Sequence, residues 1–177
     1  MKKTVIQVMK MITKLNKSMI WVVGVLVFFA SIFLFIDVLL RYFFNSATAW
    51  AFDLAVTSTG FIGFMLGGYA LAIGQHVRVD LFYEKFSLRV RSIIDLISAL
   101  FLFLMAGALF WLGMDYVIHY YTIGAVTTGG VPMPLWIKWL MVPLGGLLIG
   151  LQGLVKLTND IYIIVTGEEL YNSEEGV

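Results

Sequence analysis

Four apolar stretches, each long enough to cross a bilayer, restrict this chain to a membrane-embedded helical fold. About 20 consecutive, mostly apolar residues cover the ~30 Å of hydrocarbon as a helix. The sequence offers Met19–Phe44, Trp50–Gly74, Ile93–Ile118 and Leu135–Leu157. Lipid offers no water to the backbone, so such a run must satisfy its own peptide groups as a helix. Composition agrees: 60% of the 177 residues are hydrophobic and 13% are charged, where soluble domains carry about 25% charged residues. Lysines ahead of the first run resemble the start of a secretory signal. Met19–Ile36 is longer than a signal core, however, and no small-residue cleavage site follows it. The reading is one all-α integral membrane domain over residues 1–177 with four transmembrane helices.

Placement of Lys and Arg sets the expected direction. Lys2, Lys3, Lys10, Lys14 and Lys17 precede the first span, Arg78, Lys85, Arg89 and Arg91 lie between the second and third, and Lys156 closes the fourth. Arg41 and Lys138 alone fall on the other side. Both termini and the middle loop are therefore expected in the cytoplasm, with the 44–50 turn and the 119–134 loop outside. Residues 1–18 place Val5, Val8, Met9, Ile12 and Leu15 at helical spacing with the lysines mostly elsewhere. That pattern predicts an interfacial amphipathic helix on the anionic inner leaflet, with membrane lipids as partners; the alternative is a soluble extension of the first span. Residues 166–177 form a short acidic tail.

Several function classes are excluded by residue type. The chain has no cysteine, which removes disulfides, thiolate metal sites and iron–sulfur clusters. Its two histidines, His76 and His119, are too few for a di-haem cytochrome. A net charge of +1 gives no footprint for nucleic acid. His76 with Asp80, and Asp115 with His119, are each four apart, but two ligands do not make a metal site. No nucleophile elbow, zinc-protease signature or phosphate loop is present. Neither an enzyme nor a cofactor is expected.

The chemistry that remains gathers on Leu40–Asp80. Charged groups in or beside a bilayer are costly and usually have a task. At one end stand Leu40-Arg41-Tyr42-Phe43-Phe44-Asn45, then Trp50 and Asp53, and at the other His76-Val77-Arg78-Val79-Asp80. Asp37 and Arg41 share a helix face and read as a structural anchor rather than an ion path, because no span carries an acid at its midpoint. Arg41 can pair with Asp37, Asp53 or a partner, and is expected to matter more than Lys138. His76 and Asp80 are expected to cap the inner end of the second span. Between the ends, Asp53, Gly60, Gly67 and Gly74 recur every seven residues with Gly63 beside them. Gly146 and Gly150 repeat the theme in the fourth span. Small residues let helix backbones approach in lipid, so these glycines predict a packing seam, within the chain or against a partner.

These residues resemble the small membrane subunit of TRAP (tripartite ATP-independent periplasmic) transporters. The likeness runs through Arg41-Tyr42, Trp50 with Asp53, Gly67 and His76-Val77-Arg78-Val79-Asp80. It continues in Met133-Pro134-Leu135-Trp136 and Val142-Pro143-Leu144-Gly145, covering roughly residues 18 to 160. Asp53 departs from the family's usual Glu, so a pairing there must be closer, and Trp139 stands where tyrosine is common. The resemblance implies a multi-pass protein of the bacterial inner membrane. It implies partnership with a large membrane subunit that holds the substrate and sodium sites, and with a periplasmic substrate-binding protein. Arg41, Asp37, Trp50, Asp53, His76, Asp80, Pro134, Trp136 and Pro143 would then be anchors and partner contacts, and the cargo an organic acid of the sialic acid or C4-dicarboxylate type. The rival readings are a self-contained, homodimeric, proton-coupled exporter, for which Asp37 is the only candidate acid, and a structural or signalling subunit outside transport.

Overall fold

A computed structural model describes residues 2–46, 48–74, 86–128 and 132–171. Five helices follow one another: α1 (Lys2–Phe44), α2 (Ala49–Ala72), α3 (Leu88–Thr122), the short α4 (Leu135–Trp139) and α5 (Met141–Thr166). Four helical stretches are long and apolar enough to cross a membrane, the fourth being α4 and α5 together. The amphipathic segment is helical from Lys2 through Ser18 and runs without a break into the first span. No proline and no glycine before Gly24 interrupts it.

Helix ends are set by local chemistry rather than by where apolarity stops. Asn45, in the left-handed region with φ 49°, ends α1, and Asn is one of the few side-chain-bearing residues that tolerate that conformation. α3 and α5 outrun their expected spans because a charge ends an apolar run without ending a helix. α5 continues past Lys156 to Gly167, whose φ of 79° forms a left-handed cap. Within the fourth span, Pro143 lacks the N–H that would bond the Trp139 carbonyl, and α4 gives way to α5 at Leu140.

The helices form an open row rather than a closed bundle. α1 packs on α2, α2 on α5, and α5 on α3, while α1 reaches α5 through its N-terminal part. The outer helices α1 and α3 make no substantial contact with each other among the described residues. The rule behind this packing is a seven-residue period. Met9, Asn16, Val23, Ala30 and Asp37 are buried on α1, Ala106 and Gly113 on α3, and Gly146, Gly153 and Asp160 on α5. A strict seven-residue repeat is the mark of helices crossing at about 20° in a left-handed sense. Most buried side chains on these stripes are small, so backbones come close. A Cβ on Gly146 would lie 2.8 Å from the carbonyl oxygen of Ala106 and from the amide nitrogen of Phe110, and one on Gly145 would lie 2.9 Å from the Phe64 carbonyl oxygen.

Candidate functional site

At the 45–48 turn, Asp37 is held by three donors. Arg41 Nη2 donates to Asp37 Oδ2 at 2.9 Å, and Thr48 gives Asp37 Oδ1 both its backbone N–H (2.7 Å) and its hydroxyl. Thr48 is the N-cap of α2, so a carboxylate from α1 satisfies the orphan amide at the start of the next helix. Asp37 is buried while the Arg41 side chain is 63% exposed. Arg41 therefore pairs with Asp37, and the alternative of Asp53 is not used.

Asp53 instead faces Lys138 of α4, with Nζ 3.9 Å from Oδ1 and both side chains about one-fifth exposed. Its Oδ2 is buried without a hydrogen-bond partner. Aromatic rings surround this end. Trp50 meets Phe33 edge-on at 6.0 Å, Trp136 meets Tyr121 at 6.0 Å, and Trp139 stacks on Tyr116 at 4.5 Å. Pro134 bridges to Val126 and caps α4. Pro143 packs where Gly113 of α3 leaves room, its Cδ 2.7 Å from the position of a Cβ there. Asp115 and His119 point out of the row, and the His119 ring lies against Tyr120 at 5.3 Å.

At the other end, Lys156 of α5 bonds Asp95 of α3 at 2.9 Å. Lys138 and Lys156 share the fourth span and stand roughly 27 Å apart by helical rise, close to the ~30 Å of hydrocarbon. Two interhelical ion pairs thus bracket an apolar layer. One turn inside Lys156 lies a buried amide clasp. Asn16 Nδ2 donates to Gln152 Oε1 at 3.2 Å and to the Ile12 carbonyl at 3.2 Å, and Gln152 Nε2 donates to Thr13 Oγ1 at 3.4 Å. Asn16 Oδ1, with no hydrogen-bond partner, rests directly on the face of Gly68. The clasp joins α1, α2 and α5, and Lys2 Nζ adds a bond to the Tyr162 hydroxyl at 2.9 Å.

The glycine seam is mostly an internal one. A Cβ on Gly60 would collide with the Met141 thioether, and one on Gly67 would lie 2.7 Å from Ile149 Cδ1. Gly63 stands about 60° round the helix from Gly60 and meets nothing within 4 Å, so it is not part of the intrachain seam. Gly150 makes an ordinary contact with Ala106 at 3.8 Å, and Gly74, at φ 72°, stands at the end of α2. His76 and Asp80 lie outside the described residues. Among the described residues, no group of three or more His, Asp or Glu could hold a metal ion.

A family profile for the DctQ component of tripartite ATP-independent periplasmic transporters matches residues 30–162. The chain belongs to the DctQ family. It is also similar to the ectoine TRAP transporter small permease protein TeaB of Halomonas elongata, at 28% identity over 113 residues. That match covers 61% of this chain and 58% of the relative's length, so it spans little more than half of the relative. No solved structure matches the chain. Members of this family are transport components of the bacterial inner membrane, and the four candidate spans fit that place.

The DctQ match takes in Asp37, Arg41, Asp53, Asp95, Lys138, Gln152 and Lys156, and leaves Thr13, Asn16 and all five N-terminal lysines outside it. Gln152, Asp95, Thr48 and the α1 residues of the clasp, Thr13 and Asn16, escaped the sequence reading. Gln152 carried a usable signal, being a lone amide in an otherwise apolar stretch. Asp95 carried a weaker one, as a single acid just inside the third span. Thr48 carried none, because its bond to Asp37 depends on the path of the turn.

Proposed function

We propose that this DctQ-family small permease subunit is the static membrane frame of a sodium-driven TRAP importer for an organic acid. In this reading it pairs one-to-one with the large membrane subunit, which carries substrate and sodium by an elevator-like motion. Its outer end, with Pro134, Trp136 and the anchor around Arg41, Asp37, Trp50 and Asp53, contributes to the face on which the binding protein docks. Both termini lie in the cytoplasm.

The observation that carries this reading is the pair of interhelical ion pairs, Asp53–Lys138 and Asp95–Lys156, at the two ends of an apolar layer. Charges so placed fix helices at a depth. They do not line a path. The groove between α3 and α5, about 390 Å³, has walls of Phe103, Phe110, Leu147 and Leu154 and offers no polar side chain to an organic acid. Substrate selection is assigned to the two partner proteins. No residue here separates sialic acid, a C4-dicarboxylate or the ectoine for which the relative is named. Asp37, the one acid an exporter could have used, already accepts three hydrogen bonds at the end of its helix.

The test is uptake into proteoliposomes under an inward sodium gradient, with the binding protein and candidate acids outside. Uptake should require both membrane subunits and should be absent with this chain alone. Transport by the purified chain alone would falsify the frame.

A further inference from the structure

The structure gives the N-terminal lysines a depth and a direction that their sequence does not. Met9, Thr13 and Asn16 are buried, which fixes the rotation of α1. Lys10, Lys14 and Lys17, spaced at i, i+4 and i+7, then fall together on a different flank of the helix. Lys10 and Lys14 are exposed and Lys17 is half-exposed. None of the three has an ion pair or hydrogen bond among the described residues. No acidic residue occurs in positions 1–36.

Depth follows from the clasp. Asn16 is level with Gln152, one turn on the apolar side of Lys156. Lys14 and Lys17 flank Asn16 and so stand roughly 3–8 Å inside the level of Lys156 by helical rise. An uncompensated ammonium at that depth is costly. Helical side chains lean toward the helix N-terminus, which for α1 is the lysine-rich end. Lys14 and Lys17 therefore reach back along the helix toward Lys10, as long cationic side chains do near an interface. The three side chains thus share one flank of α1 at the edge of the hydrocarbon.

We propose that Lys10, Lys14 and Lys17 form a binding site for the headgroup of an anionic phospholipid, whose acyl chains lie along the adjoining apolar flank of α1. Charge complementarity selects the occupant: three clustered positive charges, no acid on α1 before Asp37, and continuity through Lys3 with the aqueous end. The site lies outside the stretch matched by the DctQ profile. It depends on the proposed orientation only for which leaflet supplies the lipid, and it stands whether or not the frame reading holds.

The test uses the full chain in nanodiscs of phosphatidylcholine doped with cardiolipin or phosphatidylglycerol, with lipid retention read by native mass spectrometry. Anionic lipid should be retained over phosphatidylcholine, and each Lys→Gln change at 10, 14 or 17 should weaken retention about fivefold, from ~1 kcal/mol per lysine near a membrane surface. Lys3→Gln should change it less. Raising salt should erode the preference of the unaltered chain, which gives a reading even if the triple variant misfolds. Equal retention of all lipids by the unaltered chain overturns the site, as does an unchanged preference in a folded triple variant. Competition by inorganic phosphate at matched concentration would assign the lysines to a free anion. Loss of the preference on binding the large subunit, with Lys14 or Lys17 cross-linked to one of its acids, would assign them to that partner. Either result overturns the lipid site.

Discussion

Asp37 accepts from Arg41 and from both the amide and the hydroxyl of Thr48, so its removal strands three donors at once. Asp37→Ala should lower stability in detergent by ~1–3 kcal/mol, the usual cost of leaving buried donors unpaired. Asp37→Asn, which keeps an acceptor for Thr48, should cost less, and thermal unfolding followed by circular dichroism separates the two. For stability, as distinct from transport, the pairing ranks Lys138 above Arg41. The Arg41 side chain is 63% exposed, and exposed ion pairs contribute little. Among the described residues, Lys138 is the one charge partner of Asp53, whose other oxygen is already without a donor. Lys138→Ala should therefore destabilise the chain more than Arg41→Ala, and the opposite ranking in the same melts would remove Asp53–Lys138 from the account. In the amide clasp, Gln152→Leu should cost ~0.6–1.7 kcal/mol, from the average to the largest value for side-chain hydrogen bonds within membranes. Combining it with Asn16→Leu should give less than the sum of the two, since the pair is lost only once. The Asp37–Arg41 pair was legible because four residues on a helix make neighbours. The partners of Thr48, Asp53 and Asn16 lie across turns or on other helices, where spacing along the chain carries no information.

Among the helices, the seven-residue period was visible in α2 before any fold was known. The same period runs through α1, α3 and α5. What the period could not say is which neighbour each stripe meets. Gly146 lies against α3 backbone, whereas Gly63 in its G-x-x-x-G element opens outward. Gly146→Ala should therefore sharply lower the yield of folded protein, because the Ala106 carbonyl and Phe110 amide are main chain and cannot step aside. Gly63→Ala should leave yield and melting unchanged. Gly67→Leu should also fail, by overpacking Ile149, at a cost of about 1–3 kcal/mol or more. Size-exclusion profiles of the three variants in one detergent provide the comparison. Helix ends were less legible than helix existence, because apolar runs stop at charges such as Lys156 while the hydrogen-bonded backbone continues to a cap such as Gly167.

At the scale of the whole chain, an open row of helices with paired charges at both ends suits a part that holds its depth while a neighbour moves. Four spans and membrane residence could be read from the sequence. The row itself could not, because apolar faces against lipid and against protein look alike in composition. The absence of cysteine makes the central proposal directly measurable. Val25→Cys on α1 and Leu104→Cys on α3 place spin labels at exposed sites on the two outer helices. Their distance can be read by pulsed EPR in the complex with the large subunit, with and without sodium, substrate and binding protein. A static frame gives one distance distribution under all conditions. A shift of several ångströms between conditions would show that the row itself rearranges during transport, and would contradict the static frame.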